Sequence, residues 1–306
     1  MTKTAFLFAG QGAQYLGMGK DLYDLYPIVK ETIDKASKIL GYDLRQLIDQ
    51  EENKLNQTRY TQPAILATSV AIYRLLVEKG LKPDMVAGLS LGEYSALVAS
   101  GALDFEAAIA LVAKRGVYME EAAPAGSGKM VAVLNTPVDV IEEACQKASE
   151  FGVVTPANYN TPSQIVIGGE VAAVDRAVEL LKEAGTKRIL PLNVSGPFHT
   201  ALLEPASQKL AEVLTEVQFN DFNCPLVGNT EAKIMEKDRI AELLTRQVKE
   251  PVRFYEIIAL MTEAGVTRFI EVGPGKVLSG FVKKIDRTAD LANVEDQASL
   301  ETLINN

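Results

Sequence analysis

The sequence has few of the residues that hold small or secreted domains together. Its 306 residues include only two cysteines, Cys145 and Cys224, and these show no paired spacing. We therefore expect neither a disulfide framework nor a zinc site, and we expect a reducing, cytoplasmic environment. No apolar run is long enough to span a bilayer, and the first ten residues are too short and unflanked for a signal peptide. These absences predict a protein without a membrane partner.

Basic residues are also fewer than acidic residues. Lysine and arginine together number 31, against 40 aspartates and glutamates, which gives a net charge of −9. This balance argues against general nucleic-acid binding, although an acidic protein could still dock on a local basic patch at short range. The cations that could form such a patch, or could equally be solvated surface charges, are Lys129, Lys187, Arg188, Lys276, Lys283 and Lys284.

Against these absences stands the motif Gly88-Leu89-Ser90-Leu91-Gly92, which has the form G-x-S-x-G. An apolar, strand-like segment precedes it and a segment of helical composition follows it. In that context the two glycines allow a sharp strand-to-helix turn that exposes the serine beside the first N–H groups of the helix. We predict that Ser90 is a nucleophile. The alternative is a glycine-bounded turn whose serine only caps the helix.

Histidine occurs once in the whole chain, as His199. A serine hydroxyl is a poor nucleophile until a neighbouring base takes its proton, and imidazole is the usual base near neutral pH. His199 follows a turn-like segment, residues 193–198, and precedes a helical segment, residues 201–214. By itself such a histidine is often structural, but together with the Ser90 motif it is predicted to be the base, with an ordinary histidine pKa.

Short apolar segments alternate with amphipathic ones, a pattern that predicts an α/β fold with a largely parallel sheet. The predicted helices include 64–79, 104–120, 138–150, 173–184 and 201–214. The predicted strands are 4–9, 85–89, 129–134, 152–157, 164–168, 188–194, 225–228 and 268–272.

One stretch has the order β-α-β-β-α-β of a ferredoxin-like unit. It predicts a small α+β subdomain at residues 128–195, inserted into a large hydrolase-like α/β domain of residues 1–127 and 196–306. A ligand site between the two units is expected, since such clefts commonly bind ligands.

Several segments together resemble one family of enzymes. In order along the chain they are Phe8-Ala-Gly-Gln-Gly-Ala-Gln14, Thr61-Gln-Pro-Ala64, Gly88-Leu-Ser-Leu-Gly-Glu-Tyr94, Lys114-Arg-Gly116, Ala157-Asn-Tyr-Asn160, Gly196-Pro-Phe-His199 and Glu271-Val-Gly-Pro-Gly-Lys276. The chain resembles the malonyl-CoA:acyl carrier protein transacylases over essentially its whole length. It departs from the family pattern at Leu89, where the family usually has histidine, and at Ala9, where it usually has proline.

The resemblance implies a role for each matching residue. Ser90 would be acylated and His199 would be its base, oriented by the backbone carbonyl of Gln247. Arg115 would bind the free carboxylate of malonate, and Asn160 would also bind substrate. The backbone N–H groups of Gln11 and Leu91 would form the oxyanion hole. Phe198 resembles the malonyl-selective form of its motif more than the methylmalonyl form.

The chemistry of these residue types agrees with those roles. Negative charge builds on the carbonyl oxygen when a thioester is attacked, and aimed amide donors stabilise it. Leu91 directly follows the serine, where a hydrolase-like site takes one donor, and the Gly10-Gln11-Gly12 turn can approach closely. A guanidinium can pair bidentately with the carboxylate that distinguishes malonyl from acetyl. The alternatives are a helix-end cation for Arg115 and a phosphate loop for the Gly10 turn, although that turn lacks the P-loop ending.

We therefore expect a stand-alone, monomeric acyltransferase of fatty acid biosynthesis that passes malonyl from coenzyme A to acyl carrier protein. Thioester exchange requires no metal or cofactor. The first alternative is a hydrolase with the same sharp turn at residues 88–92, which we call the elbow. Arg115 argues against this alternative because simple esterases need no residue that binds a free carboxylate. A catalytically idle module that binds the carrier protein is the second, and the presence of Ser90, His199 and Arg115 argues against that.

Overall fold

The structure is a computed structural model that describes residues 2–124, 126–192, 194 and 196–305. Asn193, which belongs to the predicted strand 188–194, and Ser195, where the predicted subdomain ends, therefore lie outside the described part. The strands are β1 Lys3–Phe8, β2 Met85–Gly88, β3 Lys129–Leu134, β4 Val154–Thr161, β5 Gln164–Gly169, β6 Arg188–Pro191, β7 Val266–Val272 and β8 Asp290–Val294.

The helices vary from a single turn to 21 residues. They are α1 Lys20–Leu25, α2 Pro27–Leu40, α3 Leu44–Gln50, α4 Glu52–Leu55, α5 Thr58–Glu78, α6 Gly92–Ala99, α7 Phe105–Ala122, α8 Val138–Ala148, α9 Val171–Glu183, α10 Glu204–Leu214, α11 Ile240–Gln247, α12 Phe254–Glu263, α13 Val277–Ile285 and α14 Gln297–Asn305. Within the described residues, no helix has the length and apolar character needed to cross a membrane.

The first sheet is parallel and has the strand order β2-β1-β7-β8. Its central strand β1 is buried from Ala5 to Phe8, as expected for a parallel strand covered on both faces by helices. This confirms the predicted α/β fold with a parallel sheet. Because parallel strands end at the same edge, the end of β1 brings the Gly10 turn beside the end of β2, where the elbow begins.

The strand prediction for this region contains one wrong strand and one omission. Residues 225–228 form only isolated bridges, from Leu226 to Val86 and from Val227 to Ile234, so this buried apolar segment is not a strand. The sequence analysis missed β8, an edge strand whose residues are mostly half-buried and whose composition lacks a strong apolar run.

The second sheet is antiparallel and has the order β4-β5-β3-β6. Val131 and Val133 on one face of β3 pack with apolar residues of α8 and α9, whereas Met130 and Ala132 on the other face line a cleft. The predicted ferredoxin-like subdomain is thus confirmed as a fold.

The residue bounds of the two domains stay a prediction. Backbone hydrogen bonds join β4 to the large unit, since Tyr159 N donates to Val252 O (2.8 Å) and Val252 N donates to Ala157 O (2.9 Å). The subdomain is therefore bonded to the larger unit through its backbone as well as by chain connectivity.

Helix α5 begins earlier than predicted and contains Pro63 in its interior. The sequence predicted a start at residue 64 from the helical spacing of the apolar residues that follow. The helix instead starts at Thr58, which places Gln62 inside it with its side chain buried beside the site described next.

Candidate active site

The Ser90 motif forms a sharp turn between β2, which ends at Gly88, and α6, which begins at Gly92. Ser90 has φ 55°, a left-handed conformation that is uncommon for a residue other than glycine. A Cβ on Gly88 would lie 2.0 Å from the carbonyl of Gly92, and a Cβ on Gly92 would lie 1.9 Å from the carbonyl oxygen of Phe8. Only glycine fits at either position. The helix-capping alternative for Ser90 is wrong, because Leu91 is the N-cap of α6 and no side chain caps it.

The imidazole of His199 lies between Ser90 and Gln247. Its Nε2 is 2.8 Å from Ser90 Oγ, and its Nδ1 is 2.7 Å from the backbone oxygen of Gln247. A carbonyl oxygen can only accept, so Nδ1 carries the proton and Nε2 is left to accept from the serine hydroxyl. This tautomer is the one that a base for Ser90 requires.

His199 is buried, and its pKa is lowered accordingly. Burial, followed by the positive charge of Arg115, lowers the pKa of His199 from 6.5 to about 4. The ordinary histidine pKa expected from the sequence is therefore too high. Neutral imidazole, the form that can accept a proton, is the resting state over the whole physiological range.

Arg115 lies beside the same serine oxygen. Its Nη2 is 3.3 Å from Ser90 Oγ and 2.9 Å from Gln247 Oε1, and its Nη1 donates to Gln62 Oε1 at 2.8 Å. The side chain is only 1% exposed, and α7 continues for two more turns to Ala122. The alternative that Arg115 is merely a cation at a helix end is therefore wrong.

The two amides predicted as oxyanion donors come from loops that meet at the elbow. A Cβ on Gly10 would lie 2.4 Å from Leu89 O, so glycine at this position lets the loop carrying Gln11 pack against the elbow. In the described part of the chain, the N–H groups of Gln11 and Leu91 donate to no protein acceptor. Both amides are thus available to a ligand, and their role as the oxyanion hole stays a prediction.

Asn160 lies on β4 and lines the same cleft, farther along its wall. Its Nδ2 donates to Gln164 Oε1 at 3.2 Å, and its buried Oδ1 has no partner within the described residues. A buried acceptor without a donor is costly unless a ligand supplies one. The assignment of Asn160 to substrate binding also stays a prediction.

Three further side chains belong to the site, and the sequence analysis gave them no role: Gln62, Glu93 and Asn229. Asn229 Oδ1 accepts from Ser90 N at 2.7 Å, and its Nδ2 donates to Gly88 O at 2.6 Å, so it holds both sides of the elbow. Gln62 and Glu93 fall inside the motifs that carried the family resemblance, which was a usable signal. Asn229 follows a glycine in a turn, and no local pattern marks it.

The Glu93 carboxylate is buried under the elbow. It accepts from the backbone N–H of Asn229 and from Nε2 of Gln247, each at 2.7 Å. Burial raises the pKa of Glu93 to about 7 in spite of these bonds and the nearby charge of Arg115.

The cleft has a volume of about 430 Å³ and receives residues from both sheets. Gln11 and Ser90 come from the parallel-sheet unit, Met130 and Val166 from the antiparallel sheet, and Phe281 from α13. Leu89, which departs from the family pattern, lines this cleft as an apolar side chain. The site is mostly apolar and has a few convergent polar groups, as ligand sites commonly do.

Comparison with known proteins gives a consistent result. A family model described as an acyl transferase domain matches residues 5–306. The malonyl CoA-acyl carrier protein transacylase of Bacillus subtilis is 47% identical, with 99% of this chain and 97% of that protein covered. The Escherichia coli K12 protein of the same name is 46% identical, with 98% of each covered.

Solved structures agree with the sequence relatives. The MCAT crystal structure from Streptococcus pneumoniae has a TM-score of 0.98 and 82% identity, with 99% of each chain covered. A malonyl-transacylase solved in complex with its type II PKS acyl-carrier protein has a TM-score of 0.96 and 47% identity over the full length of both chains.

Proposed function

The chain belongs to the malonyl-CoA:acyl carrier protein transacylase family of acyltransferases, and on that premise we propose that it transfers malonyl through an ester on Ser90. The donor is malonyl-CoA and the acceptor is acyl carrier protein, the two substrates that the names of its relatives give. The accepting group in this proposal is the phosphopantetheine thiol of the carrier protein. Such transfer supplies fatty acid biosynthesis.

One observation carries this proposal. A single oxygen, Ser90 Oγ, lies 2.8 Å from the basic nitrogen of His199 and 3.3 Å from the guanidinium of Arg115. A nucleophile, its base and a fixed positive charge thus converge on one atom. A simple esterase would need only the first two.

In the first half-reaction, Ser90 Oγ attacks the thioester carbonyl while its proton passes to His199 Nε2. The N–H groups of Gln11 and Leu91 stabilise the oxyanion of the tetrahedral intermediate. The C–S bond then breaks, and the departing coenzyme A sulfur receives the proton from His199. The product is a malonyl-Ser90 ester and free coenzyme A.

The second half-reaction reverses these steps with a new thiol. The phosphopantetheine thiol of the carrier protein gives its proton to His199 as its sulfur attacks the ester carbonyl. The C–O bond to Ser90 breaks, and His199 returns the proton to Ser90 Oγ. Throughout, Arg115 pairs with the malonyl carboxylate, which is one methylene group away from the reacting carbonyl.

The partners and location of this chain follow from the same proposal. We propose a cytoplasmic monomer that meets acyl carrier protein transiently and binds neither nucleic acid nor membrane. Among the candidate docking cations, Lys129 forms an ion pair with Asp175. Within the described residues Lys187, Arg188, Lys276, Lys283 and Lys284 have no such partner, and Lys276 directly precedes the cleft residue Val277.

The test is a two-step transfer assay followed by mass spectrometry. Protein loaded with malonyl-CoA and freed of excess donor should pass one malonyl group to added holo acyl carrier protein. The Ser90→Ala protein should pass none. Release of free malonate instead, with unmodified carrier protein, would identify a hydrolase and refute the proposal.

A further inference from the structure

Arg115 carries a buried charge without a direct ionic partner. Its hydrogen-bond acceptors in the described structure are Gln62, Gln247 and Ser90, all of them neutral groups, and its Nε has no acceptor. The ring of Tyr94, a neutral group, lies 5.3 Å from Cζ and adds a cation–π contact. A buried charge is costly unless it is paired, so this arrangement suits a carboxylate that arrives with the substrate.

The neighbouring acid is Glu93, and the carboxamide of Gln247 lies between its carboxyl group and the guanidinium of Arg115. Gln247 Oε1 accepts from Arg115 Nη2 at 2.9 Å, while Nε2 donates to Glu93 Oε2 at 2.7 Å and to Ser90 O at 2.8 Å. Both amide hydrogens and the amide oxygen are therefore used. A rotated carboxamide would set donor against donor at Arg115 and acceptor against acceptor at Glu93, so the contacts fix its orientation.

We propose that the Gln247 side chain is a positioning residue that determines acyl specificity, because it keeps Glu93 from pairing with Arg115 and so leaves Arg115 open to the malonyl carboxylate. This role rests on the proposed function and is separate from that of the Gln247 backbone carbonyl, which orients His199. One residue thus links the base to the carboxylate clamp through two different groups.

A substitution that puts a carboxylate against Arg115 tests the idea. Gln247→Glu keeps the size of the side chain and supplies an internal competitor for the guanidinium. The ratio of malonyl to acetyl kcat/KM should fall about ten-fold or more, mainly through a higher KM for malonyl-CoA. We use the ratio because the variant also loses the hydrogen bond from Gln247 Nε2 to Ser90 O. That loss should slow malonyl transfer and acetyl transfer equally, so it cancels in the ratio. The Gln208→Glu variant, on the exposed side of α10, makes the same change of charge and should leave the ratio unchanged.

A double variant separates charge placement from loss of structure. Glu93→Gln with Gln247→Glu exchanges the acid and the amide, and it preserves net charge and one hydrogen bond between the two residues. The proposal predicts that the ratio stays low, because the carboxylate still faces Arg115. Gln247→Met removes the amide without adding charge, and it should lower the ratio less than Gln247→Glu. Thermal unfolding checks that each variant is folded.

The outcomes distinguish this inference from the proposed function. If wild-type protein forms no malonyl-Ser90, the proposed function fails. If wild type is malonylated but the ratio is unchanged in Gln247→Glu, the inference alone is overturned. It is also overturned if the double variant restores the wild-type ratio, since the side chain would then serve only to preserve the hydrogen bond.

Discussion

Helix α11 and the residues next to it contribute to two networks of polar and charged groups. The two networks differ in whether their acidic and basic groups contact each other directly. On the outer side, the surface network consists of Glu231, Arg239, Glu242, Arg246 and Glu250. Its charges touch directly, with Glu231 oxygens 2.9 Å from Arg239 and 2.8 Å from Arg246. On the inner side, the active-site network of Ser90, Glu93, Arg115, Asn229 and Gln247 holds its acid and its guanidinium apart through an amide.

The difference shows what each network is suited to do. Arg246 and Gln247 are adjacent in sequence, yet one completes ion pairs at the surface and the other bonds to both an acid and a guanidinium in the interior. Paired surface charges satisfy each other and contribute modestly to stability. A separated, buried charge costs stability and is retained where a ligand completes it.

The largest expected effect is at His199, which contacts Ser90 and Gln247 of the active-site network. His199→Ala should reduce the rate of malonyl transfer about 10²–10⁴-fold, because general acid–base catalysis contributes that much. Steady-state transfer to holo acyl carrier protein measures the loss. The chain has no second histidine to substitute for it, so a rate near wild type would mean that another group activates Ser90.

The next effect concerns selectivity. Truncating one partner of a buried charge pair costs roughly 2–5 kcal/mol, or about 30-fold to several thousand-fold in kcat/KM. Arg115→Ala should lose this much with malonyl-CoA, while acetyl transfer holds or rises. Arg115→Lys should recover little, since an ammonium cannot form the bidentate pair. If the malonyl-to-acetyl ratio in Arg115→Ala stays within a few-fold of wild type, Arg115 is not the carboxylate clamp.

A direct titration sharpens the comparison further. His199 is the only histidine, so its ring proton signals in NMR are unambiguous. They should not shift between pH 8 and 5.5 and should titrate near the lowered pKa of about 4. Arg115→Ala should raise this pKa, because the positive charge of Arg115 is the second cause of the lowering after burial. A midpoint near 6.5 in wild type would contradict the burial and charge described for the site.

The smallest effect is a contrast between two glutamates. The Arg239 and Arg246 bonds lower the pKa of Glu231 to about 2 from 4.5, so its stabilisation is present above pH 4.5 and fades as the pH falls toward 2. Burial raises the pKa of Glu93 to about 7, so its protonated form stabilises the fold at low pH and that contribution fades as the pH rises from 4.5 to 7.

Urea unfolding at pH 5 and pH 8 tests the contrast. The stability difference between wild type and Glu93→Gln should change between these pH values, with wild type relatively weaker at pH 8. The difference for Glu231→Gln should be the same at both, and that variant should keep nearly full transferase activity. Equal pH dependence in the two variants would remove the distinction between the networks.

The sequence singled out Ser90 and His199, and the structure places Ser90 Oγ 2.8 Å from His199 Nε2; their roles as nucleophile and base stay predictions. Ser90 lies in a five-residue motif whose glycines are required by close contacts, and His199 was the one available imidazole. The resemblance pointed to Arg115 and to the carbonyl of Gln247. The Gln247 side chain and Asn229 could not be assigned from the sequence, since their contacts with the elbow span 157 and 139 residues of chain.

The fold prediction was likewise accurate where local sequence determines the structure and inaccurate where distant contacts determine it. The sequence predicted β3 to the residue and most other strands to within a few residues. Residues 225–228 look like a buried strand but form only isolated bridges, and the turn that follows them places Asn229 against the elbow. The lowered pKa of His199 likewise depends on burial and on Arg115, which only the assembled site supplies.

The most direct test of the account is peptide mapping of the protein after brief exposure to malonyl-CoA without an acceptor. The account predicts one malonyl group per chain, on the peptide that contains Ser90, and its removal when holo acyl carrier protein is added. Ser90→Ala should acquire no label under the same conditions. A malonyl group on a different peptide, or an equal label on Ser90→Ala, would contradict the covalent serine mechanism on which the account rests.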